Sequence, residues 1–241
     1  MRAKKRNSLI VPELGPRLQR AFRYAAKKHA GQARKGTAVP YLSHLMAVTS
    51  LVLEAGGDEE MAIAALLHDV VEDCGGMPRL REIQKRFGSR VAKIVEGCTD
   101  SFTQPKPEWI ERKKEYLREV KHADDETRLV SASDKLHNVR TILADYRQNG
   151  EAIWTRFNGK KEGTLWYYRA LSDEYARKPN RITHELEIVV TELERLCECG
   201  GGAQPRQGRG PSAPLRAGSA PSPHNTTSSA HRSSSQRTVG K

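Results

Sequence analysis

Cysteine is scarce in this chain, with four in 241 residues at positions 74, 98, 197 and 199. Such irregular placement builds no disulfide framework, and no second Cys-x-x-Cys or His-x-x-His pair completes a structural zinc site. Aromatic residues are only 6% and hydrophobic residues 37%. No run approaches the roughly 18 apolar residues that a spanning helix needs. The basic start, Met1 to Arg6, leads into no apolar core with a cleavage site, so nothing marks the chain for secretion. These absences predict a soluble, cytoplasmic chain with free thiols and no membrane partner.

Acidic residues are also missing, but only at the ends. Nothing after Glu198 is acidic, while Arg2, Lys4, Lys5 and Arg6 open the chain and five arginines and Lys241 close it. Removing those four and six charges from the net +12 leaves +2 for residues 7–199. The body is nearly neutral, which argues against a dedicated nucleic-acid binder. From Gly200 onward only Leu215 and Val239 are sizeable apolar residues, too few to offset the entropy of ordering. The expected organisation is a basic extension over 1–12, one domain over 13–199 and a disordered tail over 200–241. The tail's basicity suits at most a loose contact with a polyanion.

What the middle contains is helical periodicity. Leu45-Val48-Leu51-Val52 and Met61-Ile63-Ala64-Leu67-Val70-Val71 repeat apolar side chains at three- and four-residue spacing, broken at Gly56-Gly57 and Gly75-Gly76. Ile83-Phe87, Val91-Ile94-Val95, Tyr116-Leu117-Val120, Leu129-Val130 and Ile188-Leu193-Leu196 continue it. No two-residue alternation interrupts, so the spacing predicts an all-α fold of about eight to ten helices. Pro40, Pro78, Pro105, Pro107 and Pro179 fall near the expected helix ends.

Chemistry concentrates at His44, at the adjacent pair His68-Asp69, and at Asp134. Two imidazoles and two carboxylates suit a borderline to hard divalent metal with open positions, a hydrolytic centre rather than a structural one. His68 and Asp69 end the run Ala62-Ile63-Ala64-Ala65-Leu66-Leu67, and polar groups at the end of a buried helix need a partner. On a continuing helix Glu72 and Asp73 stand four residues after His68 and Asp69, one turn further along the same side. Carboxylates there are placed to act on a metal's water.

These residues carry a resemblance. His44, the segment from Ala64 to Asp73, and Asp134-Lys135-Leu136-His137-Asn138 resemble the HD superfamily of phosphohydrolases, within it the hydrolase domains of RelA/SpoT-type alarmone enzymes and the small alarmone hydrolases. The similarity runs from about Ala21 to Arg177 and includes Phe87-Gly88-x-x-Val91 and Thr99-Asp100. It implies a multi-helix HD-domain bundle holding Mn²⁺ on His44, His68, Asp69 and Asp134, with Glu72 and Asp73 as the catalytic pair. The substrate it implies is a small nucleotide, a guanosine alarmone that loses its 3′-pyrophosphate. Arg34 would stack on the base, with Lys35 and Asn138 on phosphate or ribose. Trp166-Tyr167-Tyr168 either walls the nucleoside pocket through Tyr167 or is a core stripe, and His29 and His137 read as packing or as support for other groups.

The chain departs from the family pattern at Ser131, where those hydrolases often carry a lysine before the metal aspartate. A phosphate contact would then be missing, which Arg112-Lys113-Lys114, after the stretch Asp100–Trp109, could replace. No synthetase or regulatory segment follows Cys199, so the resemblance implies a chain that only degrades. Two other readings remain: the same chemistry on an adenosine alarmone or NADPH, since a stacked arginine does not distinguish purines, and a non-catalytic HD-fold binding module. Intact Glu72 and Asp73 weigh against the second. Because the tail lacks apolar surface, deleting residues 200–241 should leave the unfolding midpoint and turnover unchanged, which thermal melts and rate assays of the truncated chain check.

Overall fold

A computed structural model describes residues 13–103 and 105–199; the predicted extension and tail lie outside the described residues. Ten α-helices account for most of the described chain. They are α1 (Pro16–Lys28), α2 (Leu42–Glu54), α3 (Glu59–Leu67), α4 (Val70–Cys74), α5 (Met77–Phe87), α6 (Ser89–Cys98), α7 (Trp109–His122), α8 (Asp125–Asn149), α9 (Lys160–Tyr175) and α10 (Arg181–Cys199). A 3-10 segment, Gly150–Arg156, follows α8. Among the described residues there is no β-strand, only an isolated bridge between Ala33 and Pro40. No described helix is long and apolar enough to cross a membrane.

Local chemistry explains where the helices begin. Asp58 accepts from the Met61 amide at 3.0 Å and Asp124 from the Thr127 amide at 2.8 Å, so each caps a helix N-terminus that would otherwise leave donors unpaired. Pro78 occupies the first turn of α5, where a missing amide costs nothing. Gly76 has φ +62°, and a Cβ there would stand 2.6 Å from the Phe102 carbonyl oxygen. Only glycine lets the loop after α6 lie this close to the start of α5.

Two apolar clusters form the interior. One surrounds α3, whose residues Met61 to Leu67 are all buried, and draws on α1, α2, α5 and α6. The other gathers Leu136, Val139 and Leu143 of α8 with Tyr116, Leu171, Leu186 and Leu193 from α7, α9 and α10. Helix α8 runs 25 residues, about 37 Å at the usual helical rise. Its Val130 belongs to the first cluster and its Leu136 to the second, so the helix spans both. The expected single helix through Met61–Val71 is interrupted: α3 stops at Leu67, His68 and Asp69 form a turn, and α4 starts at Val70.

Arg128 on α8 closes the second cluster. It is 5% exposed and donates to the carbonyls of Val120 at 2.9 Å, Glu174 at 2.9 Å and Tyr175 at 3.4 Å. Those last-turn carbonyls of α7 and α9 also accept from the following amides, Ala123 to Val120 at 3.3 Å, Arg177 to Glu174 at 3.4 Å and Lys178 to Tyr175 at 3.2 Å, so the guanidinium adds a charged donor that joins the two helix ends. Arg128→Met should therefore lower unfolding free energy by about 2–4 kcal/mol, read as a reduced urea midpoint with an unchanged slope.

Candidate active site

Three elements meet between the two clusters. His44 comes from the first turn of α2, His68 and Asp69 from the turn between α3 and α4, and Asp134 from the middle of α8. His44 Nε2 lies 3.3 Å from His68 Nε2 and 3.2 Å from Asp134 Oδ1, and His68 Nε2 lies 3.5 Å from the same oxygen. These three residues are buried and form a group of metal-ligating size. Asp69 joins from one side, its Oδ2 2.9 Å from His68 Nε2 and 3.5 Å from His44 Nε2. Two imidazole nitrogens and carboxylate oxygens suit a borderline to hard divalent cation.

Neighbours set which ring nitrogens are available. His68 Nδ1 donates to the Ala65 carbonyl at 2.8 Å, which turns Nε2 toward the cluster, and against burial Asp69 and Asp134 hold the ring's pKa well above its ordinary value, so without an ion Nε2 carries a proton facing the carboxylates. His44 Nδ1 is 2.8 Å from His137 Nδ1. Burial, His44 and Arg34 push His137 down to about 4, so it is neutral near pH 7 and can accept from His44. That leaves His44 Nε2 facing the cluster as well. His137 thus supports His44 directly.

The carboxylates are held on their outer sides. Burial opposes charge on Asp134, but Lys135, His44 and His68 outweigh it and keep the carboxyl well below its ordinary value. Lys135 Nζ is 2.6 Å from Asp134 Oδ2, and Asn138 Nδ2 donates to Oδ1 at 2.6 Å. The Tyr41 hydroxyl donates to Asp69 Oδ2 at 2.6 Å. Neither Tyr41 nor Lys135 was singled out by the sequence reading.

Glu72 and Asp73 lie on α4, and the Asp73 amide still bonds the Asp69 carbonyl at 2.9 Å across the turn. Lys106, from the loop after α6, places Nζ 2.6 Å from Glu72 Oε1 and 3.7 Å from Asp73 Oδ1. Gln32 Nε2 donates to Asp73 Oδ2 at 2.9 Å. Burial, then Asp100 and Asp69, raise Glu72 to about 7, against the opposing pull of Lys106. A carboxyl that loses its proton near neutrality is suited to general base chemistry.

Beside Glu72 opens a cleft of about 260 Å³, lined also by Lys35, Lys113, Lys135, Asn138 and Tyr167. Arg112 and Lys113 reach it from α7, anchored on Asp100 at 2.7 and 2.5 Å. Lys114 does not join them; it lies 3.6 Å from Glu111 in an exposed pair. Tyr167 and Tyr168 are buried and wall the cleft, whereas Trp166 is exposed and lines a different recess. Arg34 is not part of the lining, but its guanidinium donates to Asn138 Oδ1 at 2.8 Å. Ser131 faces the interior between the hydroxyls of Tyr116 and Tyr175, so the family's lysine position is turned away from the cleft. A larger recess of about 700 Å³ between α1 and α2 is lined by Leu18, Phe22, Met46 and Leu66 and holds none of the clustered acids or histidines.

An all-helical bundle with buried His and Asp at the joint of two clusters defines a class. The HD-domain family profile matches residues 21–165, and the chain belongs to that family. It is 39% identical over 132 residues to a guanosine-3′,5′-bis(diphosphate) 3′-pyrophosphohydrolase of Aquifex aeolicus, covering 54% of this chain and 18% of that protein. It is 38% identical over 125 residues to the enzyme of that name, MESH1, of Xenopus tropicalis, covering 51% of this chain and 67% of that one. A solved structure described as a metazoan ortholog of SpoT that hydrolyzes ppGpp superposes with a TM-score of 0.61 at 28% identity, over 75% of this chain and 95% of the other.

The charges around Glu72 give a direct test. In the metal-free protein its carboxyl should titrate near 7, followed by NMR of labelled glutamate. Lys106→Met should move that value up, because the ammonium favours the ionised form and its loss favours the neutral acid. The folded value lies above the ordinary 4.5. Glu72 therefore favours folding below that ordinary value and loses the contribution as pH rises through about 7.

Proposed function

We propose that this chain is a metal-dependent hydrolase that removes the 3′-pyrophosphate of the guanosine alarmones ppGpp and pppGpp, giving GDP or GTP and pyrophosphate. One observation carries the reading: the buried group of His44, His68 and Asp134 stands one turn from an acid pair whose Glu72 opens into a cation-lined cleft. A binding module has no physical need for an acid raised to about 7 beside such a group. The relatives' names support the substrate class.

His44, His68, Asp69 and Asp134 would hold the ion, which we propose is Mn²⁺. When bound, it supplies Lewis acidity toward a phosphate oxygen and lowers the pKa of water. Glu72 accepts a proton from the attacking water, and Asp73 holds that water by a hydrogen bond. Lys35, Lys113 and Lys135 offset phosphate charge in the cleft. Arg34, tied to Asn138, offers its guanidinium plane to the purine, and Tyr167 walls the pocket.

The test is product identity. With Mn²⁺ and a panel of ppGpp, pppGpp, pppApp, ATP and NADPH, the chain should release pyrophosphate from the guanosine 3′-position. Chelation should abolish turnover, and Asp134→Ala should lose both metal and activity. Glu72→Gln should keep metal and nucleotide while turnover falls by roughly 10²–10⁴-fold. Full activity of a verified metal-free protein, or terminal phosphate as the product, would overturn the reading.

A further inference from the structure

His29, Gln32 and Tyr41 perform no step in the chemistry above, yet they hold two of its carboxylates. A carboxylate only accepts, so the 2.9 Å contact to Asp73 Oδ2 requires the NH₂ end of the Gln32 amide. Its oxygen then faces His29 Nδ1 at 2.7 Å, and that nitrogen must carry hydrogen. A reversed amide would set oxygen against carboxylate. His29 therefore fixes the sense in which Gln32 points.

His29 itself has little freedom. It is 4% exposed, and its ring stacks on Tyr41 with centroids 5.1 Å apart and planes 20° from parallel. His29 Nε2 is buried without a partner among the described residues, so moving the proton there would bury an unpaired N–H and strand the Gln32 oxygen. Cys74 Sγ, at 4.0 Å from Nδ1, is the more distant neighbour. On the other side of the stack, the Tyr41 hydroxyl bonds Asp69 Oδ2 at 2.6 Å. One stacked pair thus reaches Asp69 directly and Asp73 through one amide.

We propose that Gln32 is a positioning residue for Asp73, keyed by His29, and that the His29–Tyr41 stack braces Asp69 and Asp73 in a fixed relation. The need follows from Asp73's other contact. Its Oδ1 is 3.7 Å from Lys106, beyond hydrogen-bond length, so among the described residues Gln32 supplies the one close side-chain contact that sets the carboxylate's direction. Without that amide the Asp73 side chain turns toward the ammonium or solvent, and the water it serves loses its alignment. The inference rests on the reading of Asp73 as acting on water, and the experiment separates the two.

The full chain loaded with Mn²⁺ is assayed on ppGpp as wild type, Gln32→Leu, His29→Leu, His29→Asn, Asp73→Asn and the Gln32→Leu/Asp73→Asn double variant, with bound metal and melting temperature recorded for each. Gln32→Leu should lower kcat by about 10–100-fold while KM and bound metal stay near wild type, the size of effect expected when an orienting partner is lost. His29→Leu should behave alike. His29→Asn should recover most of kcat, because an asparagine amide can present a hydrogen where Nδ1 stood. In the Asp73→Asn background Gln32→Leu should cost little more, since both act through one group. Wild-type kcat in Gln32→Leu beside a crippled Asp73→Asn overturns this inference alone, as do losses that multiply in the double variant, a fall confined to metal content or melting temperature, or His29→Asn failing like His29→Leu. Full turnover in Asp73→Asn overturns the catalytic reading itself.

Discussion

Everything at this site follows from placing carboxylates and imidazoles where an apolar core would otherwise close. Burial resists ionisation of Asp69 and Asp134, and the surrounding cations and ring nitrogens overcome it. Charged groups out of water persist only when each is paired and hydrogen-bonded. The outer contacts meet that requirement: Tyr41 on Asp69, Lys135 and Asn138 on Asp134, the Ala65 carbonyl on His68 and His137 on His44. The turn at His68-Asp69 keeps right-handed helical dihedrals, φ −56° and ψ −35° at His68 and φ −93° and ψ −6° at Asp69, so it is the side chains that bring His68 Nε2 and Asp69 Oδ2 to 2.9 Å.

Helical periodicity and the His-Asp spacing made the fold class and the four clustered residues legible in the sequence. Their meeting could be inferred because the neighbouring residues left them no other environment: Ala62 to Leu67 are small or apolar, and they are buried. The partners were less legible. Gln32 lies 41 positions from Asp73 and Lys106 lies 34 from Glu72, with no local pattern that marks either as a contact. His137 shows what helical phase leaves open. It stands three residues after Asp134, on the same side of α8, but only the packing of α2 shows that both side chains meet His44, at 2.8 Å and 3.2 Å. Phase describes one helix, whereas a site between helices depends on what packs against it.

The absent lysine at Ser131 shows how a local departure can mislead. Read along the chain, it removes a cation next to Asp134; in space, Ser131 ties α7 to α9 through Tyr116 and Tyr175. Cations enter the cleft from α7 instead, with Arg112 and Lys113 gripping Asp100. Burial works against charge on Asp100, but Lys113 and then Arg112 hold it at about 2. The anchor stays ionised at neutral pH and keeps both cations beside the cleft without neutralising their combined charge.

The roles proposed for holding a metal and for recognising the base are physically joined in this arrangement. Asn138 gives its NH₂ to Asp134 Oδ1 and takes a hydrogen from Arg34 on its oxygen, so one amide connects a carboxylate of the His-Asp cluster with the arginine proposed to stack on the purine. The orientation is forced, because the carboxylate needs a donor and the guanidinium an acceptor. An aspartate at 138 would keep Arg34 but set a second negative charge against Asp134. A leucine would release both. A side chain that donates on one edge and accepts on the other satisfies the two neighbours together, which is the physical reason an amide suits this position and its sense is fixed from both sides.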